Sequence, residues 1–167
     1  MNTQETTPKE QPPIKKNIVP HTLFAMIFFV VAVLGFADST YLAVKKLSGS
    51  PVTCTIVHGC EIVTSSVYSE IFGIPVALLG SLFYLTLIIL AVLYFDKKKN
   101  ATLVLLAKLT WIGLFASIYF MVVQAVILDA YCIYCIGSAI TSSTLFVLGM
   151  VYLKKNGERK KKEKDII

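Results

Sequence analysis

Four long apolar runs decide what this chain can fold into: Thr22 to Val44, Gly73 to Phe95, Ala101 to Leu128 and Cys132 to Leu153. The first holds one formal charge, Asp38, the third holds one, Lys108, and the second and fourth hold none. Each is as long as the roughly 20 residues a helix needs to cross a hydrocarbon core of about 30 Å. Backbone polar groups in lipid are satisfied only within a helix or a closed barrel, and runs this long without alternation do not suit barrel strands. Hydrophobic residues make up 56% of the sequence and the mean hydropathy is +0.72, outside the range of a soluble domain. The expected fold class is therefore an all-α membrane protein, a bundle of four transmembrane helices at about 22–44, 73–95, 101–128 and 132–153. The first run is too long and too far from the N-terminus for a cleaved signal peptide, and no small-residue cleavage site follows it.

The connections set the orientation. Lys9, Lys15 and Lys16 precede the first run, Lys97 to Lys99 join the second to the third, and a basic stretch from Lys154 to Lys164 follows the fourth. Against these the other side carries only Lys45 and Lys46. The positive-inside rule then puts both termini in the cytoplasm and the connections 45–72 and around Asp129 outside. The net charge of +6 is accounted for by topology and anionic lipid, so it does not argue for a nucleic-acid partner. Residues 1–20 are polar with four prolines and residues 154–167 are a charge run. Neither has the apolar material for a core, which leaves 21–153 as the membrane domain.

The outer connection 45–72 is longer than a turn requires. A breaker cluster, Ser48-Gly49-Ser50-Pro51, leads into the segment from Cys54 to Cys60. Beyond it Val63, Val67 and Ile71 fall at helical spacing with Thr64, Ser65, Ser66 and Ser69 on the polar side. That pattern predicts a short amphipathic helix over 61–72, lying in the interface as a lid. Gly73-Ile74-Pro75 ends it, with proline tolerated at the start of the next helix.

Chemistry enters through the cysteines, four in all: Cys54, Cys60, Cys132 and Cys135. The topology puts all of them on the outer face, where disulfides form and persist. Four cysteines allow three pairings, and the sequence does not choose among them. Cys132 and Cys135 stand as a CxxC at a helix start, where the dipole favours a thiolate. Cys54 and Cys60 flank a flexible segment containing Gly59 and His58. Thiol–disulfide exchange passes through a mixed disulfide, so a relay needs one loop cysteine to reach the CxxC. Two structural staples, each contributing about 2 to 4 kcal/mol, are the simplest alternative. A four-thiolate zinc site is a weaker one, given the loop flexibility and the oxidising compartment.

The stretch Gly59-Cys60-Glu61-Ile62-Val63-Thr64-Ser65-Ser66-Val67-Tyr68-Ser69-Glu70-Ile71-Phe72-Gly73-Ile74-Pro75-Val76-Ala77-Leu78-Leu79-Gly80, followed by Cys132-Ile133-Tyr134-Cys135, resembles the vitamin K epoxide reductase family in its prokaryotic branch. The resemblance covers about residues 22 to 153. It implies a four-helix bundle holding a quinone (menaquinone, ubiquinone or vitamin K type) near the outer face, with the CxxC as redox centre. Carried over by position, Cys135 would be nearest the quinone, Cys132 would exchange with Cys60, and Cys54 would meet the external thiol partner. Ser66 matches the family's loop serine. Tyr131 and Tyr134 are close enough to the CxxC to line a quinone pocket. The implied activity is a membrane thiol–disulfide oxidoreductase that takes electrons from a thioredoxin-like protein and passes them to the quinone, supporting disulfide formation outside the cytoplasm. The short interval between Cys54 and Cys60 resembles the bacterial homologues and argues against an epoxide substrate. The resemblance gives no fused thioredoxin-like domain here, so a separate partner is expected.

Other features have plainer readings. Asp38 is an intramembrane carboxylate and so a functional candidate, with pairing to Lys45 or Lys46, or proton transfer, as its possible duties. Lys108 snorkels to the cytoplasmic interface. His58 reads as an exposed loop histidine. Trp111 suits packing or an aromatic belt. Gly113 with Ser117, and Gly137 with Thr141, are small-xxx-small pairs that let helices approach. Two alternative functions compete with the relay. One is a convergent quinone-linked disulfide oxidase, in which the CxxC belongs to the first helices and the looser pair to the later loop, the reverse of the order here. The other is a non-enzymatic tetraspan protein with structural disulfides.

Overall fold

The computed structural model describes residues 19–52, 59–97 and 100–164. Cys54 and His58 lie outside the described residues, as do residues 1–18 and Lys98 and Lys99. Four long helices carry the apolar runs: α1 (Val19–Leu47), α3 (Val76–Lys97), α4 (Asn100–Val122) and α5 (Ile133–Lys164), with the short α2 (Cys60–Ser65) between the first two. The stretches Leu23–Leu47, Val76–Lys97, Ala101–Ile127 and Ile133–Glu158 are long and apolar enough to cross a membrane. The chain is a multi-pass membrane protein with a four-helix bundle fold. The main packed pairs are α1 with α3, α4 with α5, α1 with α5 and α3 with α4, so the order around the bundle is α1, α3, α4, α5.

Three buried clusters stack along the bundle. Phe28, Ala32, Tyr84, Leu87, Ala91, Leu106 and Leu145 form the middle one. Ala25, Tyr94, Leu103, Ala107 and Tyr152 close the end where α1 starts and α3 meets α4. Leu42, Val52, Cys60, Val63, Ala130 and Cys132 close the other. Outside them, leucines, isoleucines and valines such as Leu34, Ile89, Ile112 and Val147 are exposed, as expected of side chains that face lipid. Close approach is real at Gly113, where a Cβ would come within 2.7 Å of Ser142 Oγ. It does not occur at Gly137, where a Cβ would meet nothing within 4 Å. Gly137 is therefore not a point of close approach; its Thr141 instead joins α5 to α3 by a hydrogen bond, with 2.9 Å between Tyr84 Oη and Thr141 Oγ1.

Two segments differ from the sequence expectation. The connection over 61–72 is not one amphipathic helix. α2 stops at Ser65, Ser66 turns extended (ψ 156°), and a 3-10 turn (Val67–Ser69) leads into a two-strand hairpin, β1 (Glu70–Ile71) and β2 (Ile74–Pro75). The hydroxyls expected to face water instead bond backward to the main chain: Thr64 Oγ1 to Cys60 O (2.8 Å), Ser65 Oγ to Glu61 O (2.6 Å), Ser66 Oγ to Val63 O (2.8 Å) and Ser69 Oγ to Ser66 O (2.7 Å). Such bonds compete with helix propagation. The reversal at Phe72 (φ 53°) and Gly73 (φ 77°) pairs Ile71 with Ile74, the two-residue geometry with both central residues left-handed. The second difference is the basic tail. It continues α5 as helix to Lys164, because Lys, Arg and Glu are good helix formers even where they bury nothing.

Lys46 fastens this outer segment to the bundle. From the last turn of α1 its ammonium donates to Thr64 O (2.8 Å) and Ser69 Oγ (3.0 Å) and pairs with Glu70 at 3.1 Å. The ion pair weighed for Asp38 is thus taken by Glu70 instead, and Asp38 Oδ2 is buried without a hydrogen-bond partner.

Candidate redox site

The cysteine end of the bundle is built by the way α4 gives way to α5. After Val122 the helix widens into a π turn, Val123–Ile127, closed by Leu128 N–H to Val123 O at 3.0 Å. Asp129 then adopts a left-handed conformation (φ 44°), which an aspartate tolerates better than most residues, and reverses the chain. Gln124 stitches the reversal. Its backbone carbonyl accepts from Ala130 N–H (3.2 Å) and its side-chain Oε1 accepts from Cys132 N–H (3.0 Å). The Cys132 carbonyl in turn accepts the Ile136 N–H (3.0 Å), so Cys132 is the N-cap residue of α5.

Against this joint lies the start of α2. Cys60 is 1% exposed and Cys132 0%, and the two share one buried cluster with Leu42, Val52, Val63 and Ala130. Gly59 is what lets the loop come so close: a Cβ there would sit 2.5 Å from Tyr131 O and 2.7 Å from Tyr131 N. Cys60 is disulfide-bonded, whereas Cys132 and Cys135 are free thiols. Cys132 precedes the fourth span by one residue. The Cys135 thiol hydrogen-bonded to it, helped by the N–H groups of Cys135 and Tyr134, outweighs burial and lowers its pKa from 9.0 to about 7. Cys132 is thus the readier thiolate and the stronger candidate for exchange with the loop.

Cys135 faces the other way, into a cavity of about 330 Å³. That volume falls at the lower end of the range for small-molecule sites. The outer segment roofs it through Val63, Ser66, Tyr68 and Ile71. Phe83 and Tyr84 from α3, Ile112 and Phe120 from α4, and Ala139 from α5 make its walls mostly apolar. The polar groups on the wall are few. Tyr84 is held by its hydroxyl donating to Ser138 O at 3.0 Å. Ser66 is on the wall, but in this arrangement its hydroxyl proton goes to Val63 O, leaving it an acceptor. Ser142 Oγ is buried with no hydrogen-bond partner, and Gln124, 2% exposed, also lines the cavity. A flat apolar ring with polar atoms at its edge suits such a wall.

Of the residues singled out from sequence, the fold brings together Cys60, Cys132, Cys135 and Ser66. Cys54 lies outside the described residues. The Tyr134 ring packs on Tyr41 with centroids 5.1 Å apart, and Tyr131 lies on a neighbouring outer hollow beside Ser117 and Met121, so neither side chain is on the wall of the Cys135 cavity. Asp38 stands near enough for its charge to act on Cys132, Cys135, Tyr84 and Tyr134. Gln124 escaped the sequence reading. Its signal was present as an amide in an otherwise apolar helix, eight residues before Cys132, but a π turn is what aims it at the CxxC, and nothing in the spacing announces one.

Comparison with known proteins agrees with this geometry. The model of the vitamin K epoxide reductase family matches residues 26–150. A curated protein of Arabidopsis thaliana, thiol-disulfide oxidoreductase LTO1, is 31% identical over 125 residues, which is 70% of this chain and 33% of that protein. The chain therefore spans about a third of the length of that relative. The family model spans the segment from Cys60 to Pro75 and the CxxC within one membrane bundle, and on that ground the chain belongs to the vitamin K epoxide reductase family.

Proposed function

We propose that the protein is a membrane thiol–disulfide oxidoreductase that moves electrons from an external thiol protein, through Cys54 and Cys60 and then Cys132 and Cys135, to a quinone. The observation that carries this is the placement of Cys60 and Cys132 in one buried cluster while Cys135, three residues on, opens into an apolar cavity.

In this reading the partner, a protein of thioredoxin type, reduces the Cys54–Cys60 disulfide and is itself oxidised. The Cys60 thiolate then attacks Cys132 of a Cys132–Cys135 disulfide, releasing Cys135 as thiolate. Cys54 attacks Cys60 in turn, restoring the loop disulfide and freeing Cys132. Two electrons and two protons now reside on the CxxC. A quinone held in the Cys135 cavity would supply the acceptor for both. The apolar wall keeps water from the dithiol, and Ser66 stands on that wall as an acceptor. Asp38, buried and unpartnered at Oδ2, is the carboxylate we assign to proton traffic from the dithiol.

The lysine distribution supports cytoplasmic termini, with the cysteines outside, in an oxidising space where the net direction is disulfide formation. The reading is tested by replacing Cys135 with alanine and following reduction of a soluble quinone by dithiothreitol in detergent. Turnover is expected to vanish while reduction of the Cys60 disulfide by dithiothreitol persists. Retained quinone turnover sinks the assignment.

A further inference from the structure

The Gln124 side chain has a job left over. Its Oε1 is fixed by the Cys132 N–H, which settles the orientation of the amide, since only the oxygen can accept. Its NH₂ group carries two donors, and the residue lies on the wall of the Cys135 cavity. The same wall holds a stranded donor. Ser142 Oγ is buried, in a residue 4% exposed, and has no partner among the described residues. A stranded polar group is costly, about 1 to 3 kcal/mol, and natural proteins keep few of them without a use.

Their placement on the fold is informative. Gln124 is tied to Cys132, the N-cap of α5, three residues before Cys135. Ser142 lies seven residues beyond Cys135 on the same helix, about 10 Å along its axis at 1.5 Å per residue. The cavity therefore offers a hydrogen-bond donor near the reactive sulfur and another about two turns deeper, with apolar and aromatic side chains between. A ligand that matches has a flat apolar ring and an acceptor at each of two opposite edges.

Resting on the quinone reading above, we infer that Gln124 and Ser142 are the residues that hold the quinone, the Gln124 amide donating to the carbonyl nearer Cys135 and the Ser142 hydroxyl to the opposite one. This commits the cofactor class to para-quinones. It also gives Gln124 a double duty. One end of the amide positions Cys132 and the other positions the ring, so the register between sulfur and quinone is set by a single side chain. The donor on the carbonyl oxygen also favours the charge that grows there as the ring accepts electrons.

Binding, separated from turnover, tests this. In full-length protein carrying Cys132→Ser and Cys135→Ser no dithiol is left to react, while the Cys132 backbone N–H is retained. Equilibrium dialysis then measures the Kd of 2,3-dimethyl-1,4-naphthoquinone, and of 2,3-dimethylnaphthalene, which has the same ring and methyls but no carbonyls. Gln124→Met and Ser142→Ala are each expected to weaken the quinone roughly fivefold to tenfold, the worth of one hydrogen bond. The hydrocarbon is expected to change less than twofold. Gln124→Glu keeps an acceptor for the residue 132 N–H and so protects the joint if Met disturbs it; its carboxylate is expected to weaken the quinone alone. Equal losses for both ligands in Gln124→Glu and Ser142→Ala, or no loss for either, overturn the inference. Failure of the Cys132→Ser, Cys135→Ser parent to bind the quinone at all overturns the quinone reading itself.

Discussion

Replacing Gly59 with alanine is a small change that strikes at the proposed relay. A Cβ at this position would lie 2.5 Å from Tyr131 O and 2.7 Å from Tyr131 N, and both are backbone atoms of the segment leading directly into Cys132. Ordinary contact begins at 3.4 Å, so the Cys60 loop must move away from Tyr131 by about 0.9 Å. The Tyr131 segment cannot yield instead, because Gln124 holds Ala130 and Cys132 on either side of it. A misplacement of about 1 Å between reacting groups costs on the order of 100-fold in rate. Sulfur exchange between Cys60 and Cys132 should therefore slow by roughly 10- to 100-fold, because the two sulfurs must align for in-line attack. The assay is oxidation of a reduced thioredoxin-type dithiol protein with excess quinone, alongside reduction of the same quinone by dithiothreitol, which can reach the CxxC without the loop. The first rate should fall and the second should hold. If partner oxidation by Gly59→Ala stays within twofold of the unmodified protein, close seating of the loop on Tyr131 is not what enables exchange, and the reasoning fails.

Two further outcomes follow from the same geometry. With the CxxC reduced, thiolate absorbance should appear with a midpoint near pH 7; because the folded value lies below the ordinary 9.0, the thiolate is present from about pH 7 upward and is lost as the pH falls through it. Cys135→Ala removes the largest cause of the shift, so the midpoint should climb toward 9.0, and an unchanged midpoint would show that the Cys135 thiol plays no part. Lys46→Met cuts the contacts to Thr64, Ser69 and Glu70 that fasten the roof. Amide exchange over 60–75 should speed up several-fold while global unfolding shifts by no more than about 1 to 2 kcal/mol, since the ion pair is partly exposed and screened.

The bundle was legible because span length and the absence of charge leave a chain few choices in lipid. The cysteine pattern was legible for a related reason: exchange chemistry demands sulfurs within reach, and the order of the loop pair and the CxxC is specific. What the sequence hid is local. Val63, Val67 and Ile71 have helical spacing, yet the serines and threonines between them bond to their own main chain and break the helix at Ser66. The basic run after Leu153 looked like an unstructured tail because it buries nothing, but helix propensity and continuity with α5 carry it on to Lys164. Lys46 was as close to Asp38 in sequence as to any acid, and only the fold of the outer segment shows that Glu70 takes it. Gln124 depended on a π turn, which shifts the register of the helix by one residue and has no composition of its own.

The central claim is that Cys60 and Cys132 are the sulfurs that meet. In a Cys54→Ala, Cys135→Ala protein the mixed disulfide has no resolving thiol, so it should accumulate after mild oxidation. Mass mapping of the proteolysed protein is expected to show a peptide pair joined through Cys60 and Cys132. A map in which Cys60 and Cys132 both remain free would contradict the relay.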